Sequence, residues 1–94
     1  MGVAVDRATI IFHGTVQGVG FRYTVRRLAK TYPTVSGQVR NLSDGSVELI
    51  AEGLKANISI LLQDILRYMN EYVSSTEQQW STGPREYEGF SIGF

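Results

Sequence analysis

The sequence predicts an α+β fold in which two helices lie on one face of an antiparallel sheet. Runs rich in β-branched and aromatic residues alternate with two segments whose apolar residues recur at helical spacing. An Asp-Gly pair between two strand-like runs marks a hairpin near the middle of the chain. The resulting order of strand, helix, strand, strand, helix and strand is that of a ferredoxin-like βαββαβ sandwich, here with a short fifth strand at its C-terminal end.

The first strand and the first helix flank a glycine-rich stretch. The run ATIIFHG, residues 8–14, is dense in strand-forming residues and ends at a glycine. Pro33 ends the helix that follows, because the residue before a proline is pushed out of the α region. The apolar stripe of that helix has helical spacing and consists of Phe21, Val25, Leu28, Ala29 and Tyr32.

A Ser-Asp-Gly turn at residues 43–45 joins the second and third strands. The runs SGQVRNL and SVELIAEG flank the turn, and its glycine supplies the positive φ that such a turn needs. In the second run, apolar residues occupy alternate positions from Val47 to Ala51, whereas Glu48 and Glu52 share the opposite face. We therefore expect one buried face and one outward face, with both glutamates on the outward one.

The second half of the chain supplies another helix and two further strands. Apolar residues recur at helical spacing over residues 54–72, which predicts the second helix. The run TEQQWST, residues 76–82, predicts a fourth strand, and GPREYEG, residues 83–89, predicts a loop. Alternation of Phe90 and Ile92 predicts a short last strand.

Length and composition limit the functional classes to which the chain can belong. A chain of 94 residues predicts a single domain, residues 1–94, with a flexible N-terminus over residues 1–6. The formal net charge of zero provides no overall field for nucleic acid or membranes. The absence of cysteine excludes disulfides, thiolate metal sites and a cysteine nucleophile. No secretory signal is recognisable at the N-terminus, so we expect a cytoplasmic protein.

The stretch GTVQGVGFR, residues 14–22, predicts an anion cradle. The N-terminus of a helix presents about four backbone N–H groups without intrahelical partners. Three glycines would let the preceding loop turn further amides, those of Val16, Gln17, Val19 and Phe21, toward one point. Arg22 would then sit at the unfavourable end of the helix dipole, a conflict that a bound anion resolves. An exposed arginine after a tight turn is the alternative interpretation.

Known nucleotide loops do not fit this stretch. A nucleotide P-loop requires Lys and then Ser or Thr after its last glycine, whereas Phe21 and Arg22 follow Gly20. The dinucleotide fingerprint requires a third glycine where Tyr23 stands. The loop also lacks an evident paired nucleophile and nearby carboxylates for Mg²⁺. Such a cradle suits either plain anion binding or attack by water on a substrate that is already activated.

Two motifs together resemble the acylphosphatase family. The family pattern G-x-V-Q-G-V-G-F-R is present in full at residues 14–22. A second pattern, roughly G-x-V-x-N-x-x-D-G-x-V-E, matches residues 37–48. The clear similarity covers residues 14–53 and 89–92, and the pairing of the two motifs is specific.

The resemblance implies hydrolysis of acyl phosphates to a carboxylate and inorganic phosphate, without a metal or another cofactor. It implies two catalytic residues: Arg22, which would hold the phosphoryl group, and Asn41, which would orient the attacking water. The substrate phosphate itself would take the proton from this water. The implied substrate-binding residues form the loop and the start of the helix: Val16, Gln17, Gly18, Val19, Gly20 and Phe21.

Three positions depart from the family pattern. The family often has an aromatic residue after Gly37, where this chain has Gln38, and a basic residue after the final isoleucine, where it has Gly93. The segment after the first helix, TYPTVSG, also differs from the usual Leu-Gly-Leu-like sequence. None of these departures removes a residue to which the resemblance assigns catalysis.

The alternative functions are a non-catalytic anion-binding module and an RNA-binding domain of the same topology. A non-catalytic module that binds phosphate or another anion would not need Asn41. An RNA-binding domain of the same topology would carry aromatic residues on its third strand, which has none. We interpret His13 as structural, and Arg26, Arg27 and Lys30 as a solvated face. The expected ligands are an acyl phosphate and inorganic phosphate or sulfate, bound by a monomer without nucleic acid or membrane partners.

Overall fold

Among the residues that the structure describes, seven helices and strands follow one another. The computed structural model describes residues 3–93. Within this range no helix is both long enough and apolar enough to span a membrane. The elements in chain order are β1 (Ala4–Gly14), α1 (Phe21–Ala29), β2 (Ser36–Asn41), β3 (Val47–Gly53), α2 (Lys55–Met69), β4 (Val73–Pro84) and β5 (Phe90–Ile92).

The strands form one sheet in the order β4-β1-β3-β2-β5. The first four strands pair antiparallel, and β5 extends the sheet by pairing parallel to β2. This is the predicted ferredoxin-like α+β arrangement, which is confirmed, including the short fifth strand. The parallel pairing of β5 makes the sheet a mixed one.

Side-chain alternation on the central strands creates the core. Ala8, Ile10 and Phe12 of β1 are fully buried, and the apolar stripes of both helices belong to the same cluster. Burial of a large aliphatic or aromatic side chain contributes about 1.5–3 kcal/mol. The two helices therefore cover one face of the sheet, and this face fixes the register of the strands.

Both helices are shorter than the sequence predicts. The first helix ends at Ala29, because the chain tightens there into bonds from Thr31 N–H to Leu28 O and from Tyr32 N–H to Ala29 O. The second helix ends at Met69, where Tyr72 N–H donates to Met69 O. Tyr32 and Tyr72 still pack against the core, which is why both fit the apolar pattern.

The outer strand pair, in contrast, is longer than predicted. Register pairing between β1 and β4 begins at Ala4 opposite Pro84 and continues to the end of β1, where a bulge follows His13. Residues 4–6 thus lie in a strand, which differs from the flexible segment expected over residues 1–6. The first two residues of that segment, Met1 and Gly2, lie outside the described residues.

The face of β3 that carries Glu48 and Glu52 includes one buried carboxylate. Glu52 was expected on a face open to solvent, but it is completely buried. Its carboxylate accepts hydrogen bonds from Arg7 on β1 and from the backbone N–H groups of Glu86 and Tyr87. The expectation was wrong because the segment between β4 and β5 covers this part of the face.

Candidate active site

The glycine-rich loop, residues 15–20, carries the chain from β1 into α1. Gly18 and Gly20 have φ values of 78° and 77°, a left-handed conformation that costs a residue with a Cβ about 1–2 kcal/mol. A Cβ on either glycine would meet no atom within 4 Å, so the backbone path rather than packing requires them. Val16 and Phe21 are buried in the core and pin the two ends of the loop.

The N-terminus of α1 has no side-chain cap. Gly20 is the N-cap residue, and the first turn of the helix contains no acidic side chain. The first intrahelical bond runs from Thr24 N–H to Gly20 O at 3.0 Å. The N–H groups of the first turn and the positive end of the helix dipole thus lie where the loop ends, an arrangement that favours an anion.

Gln17 ties the loop to the turn between β2 and β3. Its side-chain Nε2 donates to Leu42 O at 2.8 Å and to Ser46 O at 3.0 Å. The turn is itself held by Leu42 N–H, which donates to Ser46 O at 2.9 Å. Hydrogen bonds from the Ser46 hydroxyl and backbone N–H lower the pKa of Asp44, whose carboxylate braces the turn. The loop and the hairpin therefore form one connected unit.

Asn41 is the last residue of β2, and the strand register links it through the core to the first residue of α1. Asn41 is opposite Val47 of β3, and Val47 is opposite Phe12 of β1. Residues directly opposite each other share a face of the sheet. The Phe12 ring packs on the Phe21 ring at a centroid distance of 5.0 Å, and Phe21 is the first residue of α1. A continuous row of neighbours thus connects Asn41 to the residue before Arg22.

The side-chain oxygen of Asn41 is buried without a hydrogen-bond donor. Among residues 3–93, Asn41 Oδ1 is the one buried side-chain polar atom that makes no hydrogen bond. A buried acceptor left unpaired costs about 1–3 kcal/mol, so proteins seldom retain one without a reason. A water or a ligand donor at this position would satisfy the oxygen, and a carboxamide can both accept from and donate to such a molecule.

Arg22 is half-buried and reaches the end of β5. Its Nη1 lies 3.4 Å from Gly93 O, a long hydrogen bond, and the side chain has further interactions. Gly93 N–H donates in turn to Val39 O at 2.8 Å. Val39 and Asn41 are two residues apart on β2 and share a face. Both predicted catalytic residues are thus linked to β2, Asn41 as its last residue and Arg22 through Gly93.

Two of the departures from the family pattern contact each other. A Cβ on Gly93 would lie 2.8 Å from both Cδ and Nε2 of Gln38. Gln38 is on β2, directly opposite Ser91 of β5. The glycine therefore makes room for the glutamine side chain, and the two positions form one local arrangement at the edge of the sheet that carries the Arg22 contact.

The other cations considered from the sequence have neighbours of their own. His13 Nε2 lies 2.5 Å from Glu77 Oε2 on the adjacent strand β4. Arg26 lies over the Tyr23 ring, and Arg27 over the Tyr68 ring, at 5.8 and 5.5 Å from the ring centroids. Within the described part of the chain, no three His, Cys, Asp or Glu residues are grouped so that they could hold a metal ion.

Sequence reasoning missed the contacts that connect the site. The resemblance places Gln17 in the substrate-binding loop, but its side-chain Nε2 is bonded to the hairpin. The contact of Arg22 with Gly93 joins residues 71 positions apart and leaves no local signal in the sequence. A cavity of about 320 Å³ beside Asp6, Gly53 and Leu54 lies at the opposite end of the sheet and does not belong to this site.

Comparisons with known proteins agree with the geometry. The family model described as Acylphosphatase matches residues 8–92. The acylphosphatase of Thermotoga petrophila is 40% identical over 81 residues, which are 86% of this chain and 89% of that protein. The acylphosphatase of Ligilactobacillus salivarius is 38% identical over 86 residues, covering 90% of this chain and 94% of that protein.

A solved structure extends the agreement to the fold. The crystal structure of acylphosphatase from Bacillus subtilis superposes with a TM-score of 0.77 at 32% sequence identity, and the match covers 95% of this chain and 99% of that one. The glycine-rich loop, the hairpin that carries Asn41 and the β5 edge all lie within the residues that the family model matches. With its fold, its two motifs and nearly its whole length in agreement, the chain belongs to the acylphosphatase family.

Proposed function

We propose that the protein is an acylphosphatase that hydrolyses the carboxyl–phosphate bond of small acyl phosphates. The observation that carries the proposal is the buried Asn41 Oδ1 without a hydrogen-bond donor, at the end of the strand that Arg22 reaches through Gly93. A domain that only bound an anion would gain nothing from this unpaired acceptor. In a hydrolase the oxygen would hold the attacking water.

The phosphoryl group would be held by backbone amides and one cation. Residues 16–21 supply the amides, at the end of a helix without a side-chain cap. Arg22 would grip two phosphoryl oxygens, because a planar guanidinium matches them in a way that an ammonium group cannot. Phosphoryl transfer requires mainly placement and charge stabilisation from a protein, and this set of groups provides both.

Asn41 would place the water opposite the leaving group. The water oxygen forms a bond to phosphorus while the bond from phosphorus to the acyl oxygen breaks. The carboxylate leaves with the bonding electrons, and the proton of the water passes to the substrate phosphate. Since a carboxylate is a good leaving group, no general acid is required.

We propose that the reaction requires no cofactor. Arg22 and the loop amides would supply the charge stabilisation that a metal ion otherwise provides. We further propose that residues 1–94 act as one domain, as a cytoplasmic monomer. Inorganic phosphate or sulfate would bind as product or analogue, and neither nucleic acid nor a membrane would be a partner.

The decisive experiment is hydrolysis of benzoyl phosphate and acetyl phosphate by the purified protein, with and without a strong chelator. We expect turnover of both substrates at unchanged rates when the chelator is present. A requirement for Mg²⁺ would contradict the metal-free reaction. Phosphate binding without any turnover would instead identify a non-catalytic anion-binding domain.

A further inference from the structure

The segment that connects β4 to β5 crosses almost the whole width of the sheet. We call residues 85–89 the crossing segment. Because β4 and β5 are the two edge strands, the chain passes β1, β3 and β2 between Pro84 and Phe90. Four strand spacings amount to about 19 Å, and the six residue steps available span at most about 20–22 Å. The crossing segment therefore has little slack.

Hydrogen bonds attach the crossing segment to each strand that it passes. Just before it, Pro84 O of β4 accepts from Arg7 Nη2 of β1 at 2.8 Å, and the same nitrogen lies 3.8 Å from Glu86 Oε2. In the middle, Glu52 of β3 accepts from Tyr87 N–H at 2.8 Å and from Glu86 N–H at 3.0 Å. At the far end, Gly89 O accepts from Gly37 N–H of β2 at 2.9 Å. Glu52 is thus the central attachment.

The buried carboxylate of Glu52 is satisfied by this arrangement. Burial alone raises the pKa of Glu52, but the hydrogen bonds from Arg7 and from the Tyr87 and Glu86 amides outweigh it, so the pKa lies below its ordinary value. A fully buried charge without such partners would be strongly unfavourable. The carboxylate and the two amides of the crossing segment therefore stabilise each other.

A path of contacts leads from this attachment to Arg22. The crossing segment continues directly into β5, which pairs with β2 from Gly37 opposite Phe90 to Val39 opposite Ile92. The next residue, Gly93, donates to Val39 O and accepts from Arg22 Nη1. Because the crossing segment has little slack up to the turn at Gly89, where φ is 64°, a shift at its middle is passed on to β5.

We propose that Glu52 is a positioning residue for Arg22: by fixing the middle of the crossing segment, it sets where β5 presents Gly93 O to the guanidinium. This inference rests on the proposed function, in which Arg22 holds the phosphoryl group. It assigns a role in phosphate binding to a residue at the end of the sheet opposite the candidate active site.

The test uses Glu52→Gln, with Glu48→Gln as the matched control on the same strand. Glu48 pairs with Arg40 and does not contact the crossing segment. We expect Glu52→Gln to speed hydrogen exchange at the Gly93 amide and to raise the Kd of inorganic phosphate about five- to tenfold. We expect the control to change neither. A second variant, with one glycine inserted after Glu88, should act like Glu52→Gln by adding slack.

Glu52→Gln and the glycine insertion are then each combined with Arg22→Ala. If Glu52 acts through Arg22, Glu52→Gln will no longer change the Kd of phosphate in the Arg22→Ala background. A lower thermal stability with unchanged phosphate affinity and unchanged Gly93 exchange would overturn the inference and leave Glu52 with a structural role only. An Arg22→Ala variant with normal phosphate affinity would instead refute the proposed function itself.

Discussion

Asn41→Ala should separate catalysis from stability. Loss of one well-placed hydrogen-bonding group in a site of this kind costs about 2.7–4 kcal/mol of transition-state stabilisation, so we expect kcat to fall by about 10²- to 10³-fold. The same substitution removes a buried acceptor that otherwise has to order a water, at a cost of about 0–2 kcal/mol. This gain offsets the lost packing of a half-buried amide. The free energy of unfolding should therefore stay within about 1 kcal/mol of the parent value or rise.

The assay pairs steady-state kinetics on benzoyl phosphate with urea unfolding and phosphate binding. Val39→Ala is the control, since Val39 is fully buried two residues earlier on the same face, and it should lower the free energy of unfolding by about 2 kcal/mol. For Asn41→Ala we expect phosphate affinity to persist. The reasoning is refuted if kcat is unchanged, or if unfolding is about 3 kcal/mol easier and phosphate binding is lost with it.

Substitutions at four further positions test the remaining parts of the structure. Arg22→Ala should abolish hydrolysis and weaken phosphate binding, and Arg22→Lys should restore little, as kinetics and calorimetry would measure; full activity in either removes the assigned role. Gln17→Ala should lower the free energy of unfolding by about 1–3 kcal/mol and raise KM, since two hydrogen bonds to the hairpin are lost; an unchanged urea midpoint would contradict this. Because the folded-state pKa of Glu52 lies below its ordinary value of 4.5, its contribution to stability is complete above about pH 4.5 and is lost as the pH falls through the folded pKa. In Glu52→Gln the urea unfolding midpoint should vary less with pH, between about pH 3 and 6, than in the parent protein. An identical pH dependence in both proteins would refute this. Gly20→Ala should lower the free energy of unfolding by about 1–2 kcal/mol through backbone strain alone, as denaturant unfolding would measure. A larger loss would indicate a steric clash and contradict this.

The order of the elements could be predicted because each signal is local. The Asp-Gly turn, the proline after α1 and the helical stripes act within a few residues of sequence. Phe21 and Val25, for example, are both buried where the stripe predicts them. The loop conformation followed in the same way, because glycine marks the positions where the backbone must turn left-handed, as at Gly18 and Gly20.

The extent of β4 and the burial of Glu52 depend on distant parts of the chain. Most residues of β4 are exposed or half-exposed, so no apolar alternation marks where the strand begins, and its length is set by pairing with β1. Glu52 alternates correctly with its apolar neighbours, but its burial results from a segment more than 30 residues further along the chain. Propensity and pattern carry no information on such a contact.

The same distinction between local signals and distant contacts applies to the candidate site. Arg22 and Asn41 were named from the motifs that contain them, whereas the groups that hold them in place were not. The contact between Arg22 and Gly93 depends on β5 lying beside β2, which the sequence of a three-residue strand cannot specify. The Asn41 oxygen is notable only after the strand register has buried it.

The attachment of Arg22 to Gly93 has a consequence for biosynthesis. The two residues are separated by 71 positions, so the contact cannot form while residue 93 remains inside the ribosome. A nascent chain can order its first strand–helix unit, but Arg22 lacks this contact until translation has passed that point. Recovery of enzymatic turnover after dilution from denaturant would consequently report the docking of the last strand, a late and non-local event in folding.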